Sequence, residues 1–272
     1  STMGEMHIGT KVIAKDGSVA KVNGVYPQGY TPAYEITFED DRVTEASNEH
    51  LWKLHVTYNS VSGYRVIDSV CLKELLETTS AIVRVDLVEP EQTTDVPLQI
   101  DPYILGINLW HINVDRSLLR EYIGASHGQR IRLLQGLLDS HGTISPDGVI
   151  MYCTGDTGLR DLVIEVARSV GGISGYTTDD GDKPRYTVFI KHRHAHYLTA
   201  SRIRIAEIES SGVTSSASFL LVKSVKYIGL KETQCISIDH PDKLYVTDNY
   251  IVTHNTFISL HAIAQLKQRL AI

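Results

Sequence analysis

The stretch from Tyr245 to Leu266, YVTDNYIVTHNTFISLHAIAQL, changes character halfway along. As far as Val252, two short β-like pieces, LYV and YIV, flank a turn-like TDN. From Phe257 onward, Phe257, Ile258, Leu260, Ile263 and Leu266 recur with helical spacing. His254, Asn255 and Thr256 occupy the seam between the two patterns. An Asn side-chain amide can attack its own main-chain carbonyl, closing a five-membered succinimide and cutting the chain. Enforced geometry accelerates such a step, because well-oriented intramolecular attack reaches effective molarities of about 10⁵–10⁸ M. The imidazole of His254 can donate a proton to the departing amine. The Thr256 hydroxyl can accept an acyl group. In most proteins such a tripeptide is simply a turn, since Asn tolerates left-handed backbone; the rest of the chain has to decide.

Working outward, the 272 residues allow one large or two ordinary domains with enough apolar content for a packed core. A formal charge of −6 gives no general nucleic-acid signature. Cys71, Cys153 and Cys235 are scattered and odd in number, which fits a reducing cytoplasm better than a disulfide framework. No apolar run approaches about 18 residues, so no membrane span is expected. The first hundred residues read as strands, with turns at Lys15–Gly17, at Pro27–Gly29 and around Glu39–Asp41, and with Tyr34, Ile36 and Phe38 on one face. The middle carries helical spacing in RSLLREYIGA, QRIRLLQGLLDSHG and TGLRDLVIEVARSVGG, interleaved with the strand-like HGTISPDGVIMYC and PRYTVFIKHR. From about Phe219 the pattern returns to β. A β domain interrupted by an α/β insert, followed by a final helix, describes this order better than two tandem domains.

Several motifs together resemble an intein, a self-splicing element with the Hint β-fold. YIVTHNT resembles the downstream splice junction, and CISIDHPDKLYVTDNYIVTHN matches the longer C-terminal block. VTEASNEHLWKL resembles the interior splicing motif, with Ser47 three residues before His50. IGTKVIAKDG and VNGVYPQG match the early strands. The resemblance implies a mainly β, horseshoe-like Hint domain formed by residues 3–97 and 215–255, an insert at 98–214, and a C-terminal extein flank at 256–272. It implies that His50, assisted by Ser47, polarises the upstream scissile amide. It also implies that His254 assists cyclisation of Asn255 and that Thr256 receives the upstream segment. Many inteins have Asp where Cys235 falls and His near Lys243, so any assisting role for Cys235 or Asp242 departs from the pattern. No cofactor or metal is implied.

The strand that normally carries an intein's first nucleophile is missing ahead of MGEMHIGTKV, and Ser1-Thr2 reads as a remnant of tag removal before Met3. The expectation is therefore splicing in trans, with a short N-terminal fragment as partner and phage-type affinities. A contiguous element using Ser1, and a homing endonuclease cutting DNA, are the alternatives. Within the insert, LLQGLLDSHGTI and DPYILGINLWHI resemble the two LAGLIDADG helices of homing endonucleases. The metal-binding acid positions fall on His141 and on Trp110-His111, so the insert reads as a decayed nuclease. His192, His194 and His196 alternate as they would on a strand, a weak zinc pattern without Cys or carboxylate partners nearby. The flank TFISLHAIAQLKQ resembles the helix after the Gly-Lys of a P-loop ATPase, which would be the host.

Overall fold

The computed structural model describes residues 3–111, 116–145, 149–179, 181, 184–199 and 218–255. Ser1, Thr256 and the expected final helix lie outside the described residues. The chain divides into two units, one formed by residues 1–88 and 220–272, the other by 89–219. The junctions expected at 97/98 and 214/215 thus fall nearer 88/89 and 219/220. The upstream difference has a physical cause: the polar stretch that follows Val88 is bonded into the second unit. Glu89 pairs with Arg193 at 2.8 Å, Glu91 with the buried Arg130 at 3.0 Å, and Asp95 accepts from the Ser126 hydroxyl.

The first unit is built on strands β1 (Lys11–Ile13), β2 (Val19–Phe38), β3 (Val43–Ser47), β4 (Leu51–Tyr58), β5 (Val61–Asp68) and β6 (Ile82–Asp86), with helix α1 (Ser69–Thr78) between the last two. The 20-residue β11 (Phe219–Ile238) and the short β12 (Leu244–Val246) and β13 (Val252–His254) complete it. One sheet runs β1-β2-β11-β6-β4-β5, with β3 added to β2, and β12 pairs with β13 in a separate ribbon. The turns expected at Lys15–Gly17 and Glu39–Asp41 are present: Gly17 N–H reaches Ala14 O, and Asp41, at φ 60°, donates to Phe38 O. The turn expected at Pro27–Gly29 is absent. β2 runs straight through it, paired with β11, and Gln28 is the extra residue where Thr233 opposes Gly29 and Gln234 opposes Pro27. Gly29 supplies the positive φ, 68°, that this bulge requires. Local turn chemistry was real, but long-range pairing converted it into a bend. Val22, Ile236, Ile238 and Tyr245 share a core at one end of the paired strands. Ile36 and Phe38 are buried towards the other end of β2, while Tyr34 is half-buried. Helix α1 was not anticipated. Its signal was Asp68, whose carboxylate caps the Cys71 N–H at 2.7 Å.

The second unit contains α2 (Pro102–Asn108), α3 (Arg116–Ile123), α4 (His127–His141), α5 (Thr157–Ser169) and the antiparallel sheet β7-β8-β10-β9. Those strands span Gly142–Ile144 (β7), Ile150–Thr154 (β8), Ile173–Asp179 (β9) and Arg185–Lys191 (β10). Helix α4 opens with a capping box between Ser126 and Gln129. Helices α2 and α4 meet glycine against glycine: a Cβ on Gly106 would lie 2.8 Å from Leu137 N, and one on Gly136 would lie 2.9 Å from Ile107 N. The apolar stripe of α5 faces inward through Leu162, Val163, Val166 and Val170, and Gly171, at φ 87°, ends it. Strand β10 stops at Lys191, and Ala195–Leu198 is a 3₁₀ turn, so the three histidines do not alternate along a strand. His192 is buried, with Nε2 at Val170 O and Nδ1 accepting from the His194 N–H.

Candidate functional site at the end of β13

The seam lies where β13 ends. β12 and β13 pair with Leu244 opposite His254 and Val246 opposite Val252. Between them, the 3₁₀ turn Asp248–Tyr250 places Asn249 and Tyr250 at φ 55° and 59°, a region non-glycine residues occupy only at some cost. The turn is fastened from β3 and the loop before it. Thr44 Oγ1 donates to Asp248 Oδ1 at 3.2 Å, and Asn249 Nδ2 donates to Val43 O at 3.1 Å. The guanidinium of Arg42 donates to Asn249 O at 3.1 Å and to Tyr250 O at 3.5 Å. Arg42 and its partner Asp40, 2.9 Å apart, have fully buried side chains. Burial pulls the Arg42 pKa down, and Asp40 opposes that.

With β13 fixed in this way, Asn255 is only 2 % exposed and its N–H donates to Lys243 O at 2.8 Å. His254 Nδ1 lies 2.5 Å from the Asn255 carbonyl oxygen. Asn255 Oδ1 is buried and has no hydrogen-bond partner among the described residues. Desolvation lowers the His254 pKa, the bond to Asn255 opposes this, and Lys53 adds to it. A neutral imidazole with its proton on Nδ1 is therefore a donor to this carbonyl.

His50 sits at the start of β4. Its N–H donates to Ser47 O at 3.1 Å, so the Ser47–His50 spacing is expressed through a main-chain turn. The ring packs edge-on against Trp52 with centroids 4.9 Å apart, and Trp52 Nε1 donates to Ser69 Oγ at 3.1 Å. His50 Nε2 hydrogen-bonds Thr253 Oγ1. Desolvation, then the charge of His254, pushes the His50 pKa down to about 4. The structure thus brings His50, Thr253, His254 and Asn255 into one site.

The remaining candidates lie elsewhere or touch the site indirectly. Cys235 is half-buried in β11, opposite Tyr26. Asp242 is exposed, with its N–H at His240 Nδ1, 3.3 Å away. Lys243, not Asp242, is the residue that meets Asn255, through its main-chain carbonyl; its ammonium donates to Ile238 O at 3.0 Å. In the second unit, Trp110 stacks on His141 with centroids 4.2 Å apart. Desolvation lowers the His141 pKa, with His111 adding to the effect. Asp139 accepts from Tyr103 OH at 3.1 Å and from the Thr199 hydroxyl. Among the described residues no three His, Cys, Asp or Glu side chains are grouped to hold a metal ion. Among them, too, no helix is long and apolar enough to cross a membrane. Sequence reasoning missed Thr253 and the Asp40–Arg42 pair. Thr253 stood inside the quoted stretch as an ordinary strand residue, and the pair stood inside a charged turn.

No family model matches the chain. A curated relative, replicative DNA helicase DnaB from Mycobacterium intracellulare, is 25 % identical over 207 residues, covering 71 % of this chain and 36 % of the helicase. The chain therefore spans little more than a third of that relative's length. Among solved structures, the MchDnaB-1 intein matches with a TM-score of 0.35 and 10 % identity, over 94 % of this chain and 89 % of that one. The Msm DnaB1 intein splicing domain bound with zinc matches with a TM-score of 0.34 at the same identity and coverage. The first unit is mainly β, its two stretches of sequence are separated by an α/β insert, and its described part ends at the His254–Asn255 pair.

Proposed function

We propose that this chain is a protein-splicing element that releases itself by cyclisation of Asn255. The observation that carries the reading is the short approach of His254 Nδ1 to the carbonyl of a buried Asn255, 2.5 Å. In the proposed step, Asn255 Nδ2 attacks the carbonyl carbon of the same residue and loses a proton. The bond to Thr256 breaks, its nitrogen takes up a proton, and a succinimide remains on Asn255. In this reading His254 donates a hydrogen bond to the oxygen on which charge develops, the role of an oxyanion-hole group, and the 2.5 Å contact supports it. Beforehand, Thr256 Oγ attacks the ester or thioester that joins the upstream acyl group to the first nucleophile; that bond breaks, the nucleophile's hydroxyl or thiol leaves with the proton, and once the Thr256 amine is free an O-to-N acyl shift leaves an ordinary peptide bond. His50, held neutral, would polarise the upstream amide, and Ser47 would set the turn that presents it.

In this reading the first nucleophile comes from a separate short N-terminal fragment, and Ser1 of a contiguous element is the other source. The host would be a P-loop ATPase; the 25 % identity to a replicative helicase favours an enzyme of that kind. The insert would be a nuclease remnant. The glycine contact of α2 with α4 supports the two-helix likeness, while Trp110, His111 and His141 stand where acids would be needed to hold Mg²⁺.

Incubating the chain with N-terminal fragments and following masses tests both parts. Release of residues 256–272 should vanish in Asn255→Ala and slow about 10²–10³-fold in His254→Ala. Undiminished release in Asn255→Ala refutes the splicing reading. Ligated flanks that form without any added fragment refute action in trans.

A further inference from the structure

We infer that Thr253 is a positioning residue for His50, so that the strand delivering Asn255 also sets the imidazole that works on the upstream junction. The inference deepens the splicing reading and rests on it. Thr253 is the central residue of β13 and is 2 % exposed; its hydroxyl meets His50 Nε2 across 203 residues of sequence. Strand alternation turns its side chain to the opposite side of β13 from Val252 and His254. One three-residue strand therefore serves two reacting centres. His254 reaches the Asn255 carbonyl from one side, and Thr253 holds His50 from the other.

The contacts of Trp52, Ser47 and Ser69 with His50 fix where its ring lies, not how it is protonated. Trp52 packs on it edge-on, and Ser47 O and Ser69 Oγ engage the main-chain N–H and carbonyl of His50. A hydrogen bond to a ring nitrogen does more, because it selects the tautomer and thus which nitrogen donates. Valine at position 253 would keep the volume and β-branched shape and remove only this selection.

The test uses the full chain with ¹⁵N-labelled histidine. Long-range ¹H–¹⁵N correlation should show the His50 ring nitrogens at two well-separated shifts, the mark of a single tautomer; His50→Gln identifies the signals. Thr253→Val should draw the two shifts together, Thr253→Ser should restore them, and the His240 ring should not change. With an N-terminal fragment supplied, Thr253→Val should cut hydroxylamine-released upstream product by about tenfold or more and change release of residues 256–272 by less than about threefold. An unmoved His50 pattern overturns the inference. So does an equal loss of both cleavages that serine fails to rescue. Release that persists in Asn255→Ala sinks the splicing reading instead, and the histidine spectra still decide whether Thr253 sets the ring.

Discussion

Replacing Arg42 with leucine would separate two effects of one buried side chain. The substitution takes the guanidinium away from the Asp40 carboxylate, whose side chain is fully buried 2.9 Å from Arg42 Nε, and leaves the main-chain N–H of residue 42 at 3.3 Å. Breaking a buried pair from one side costs about 3–5 kcal/mol, whereas replacing both partners with apolar groups is often close to neutral. Asp40→Leu combined with Arg42→Leu should therefore recover most of the lost stability. It cannot recover the donors to Asn249 O and Tyr250 O, at 3.1 and 3.5 Å. Each such bond contributes about 0.5–1.5 kcal/mol, and they brace two residues whose left-handed backbone costs about 1–3 kcal/mol each. Thr44 and Asn249 still fasten the turn, so β13 should loosen without detaching. The expectation is that release of residues 256–272 stays about tenfold slow in the double variant, corresponding to about 1.4 kcal/mol of lost positioning. Urea unfolding in a Trp110→Phe background, which leaves Trp52 as the reporter, measures stability; mass spectrometry measures release. A double variant that recovers both stability and release would refute the idea that Arg42 positions the junction.

Two further outcomes are expected. His50 and His127 both have pKa values pushed down to about 4, the first by desolvation and then His254, the second by desolvation and then Arg130 and His192. Between pH 6.5 and 4 the unfolded chain then binds more protons than the folded one, so stability is full above 6.5 and falls as the pH drops towards 4. His50→Gln should flatten this acid slope in Trp52-detected unfolding, and an unchanged slope would contradict the proposed burial of a neutral imidazole. Gly136→Ala should destabilise the second unit by about 1–3 kcal/mol, because its methyl meets main-chain atoms of α2 instead of a movable side chain. Unfolding followed through Trp110 in a Trp52→Phe background would show it, and an unshifted midpoint would mean the helices are not in glycine contact.

The sequence by itself determined the β–α/β–β order, the glycine-bearing helices α2 and α4, and the end of the last β segment just before Asn255, because strand alternation and helical spacing are local patterns. Pro27–Gly29 shows where local evidence runs out. Those residues are good turn formers, yet pairing with a strand some two hundred positions away keeps the chain extended and turns them into a bulge. Helix α1 shows a different limit, since its aspartate cap lay within a region whose neighbours all read as strands. Only the tertiary structure decided that Thr253 belongs to His50, that a charged turn supplies a buried Asp40–Arg42 brace, and that the polar stretch after Val88 is anchored by Arg130, Arg193 and Ser126. The physical reason is common to all three. Periodicity reports which face of a segment avoids water, whereas the partner of a buried hydroxyl, imidazole or guanidinium is set by the register of segments far apart in the chain.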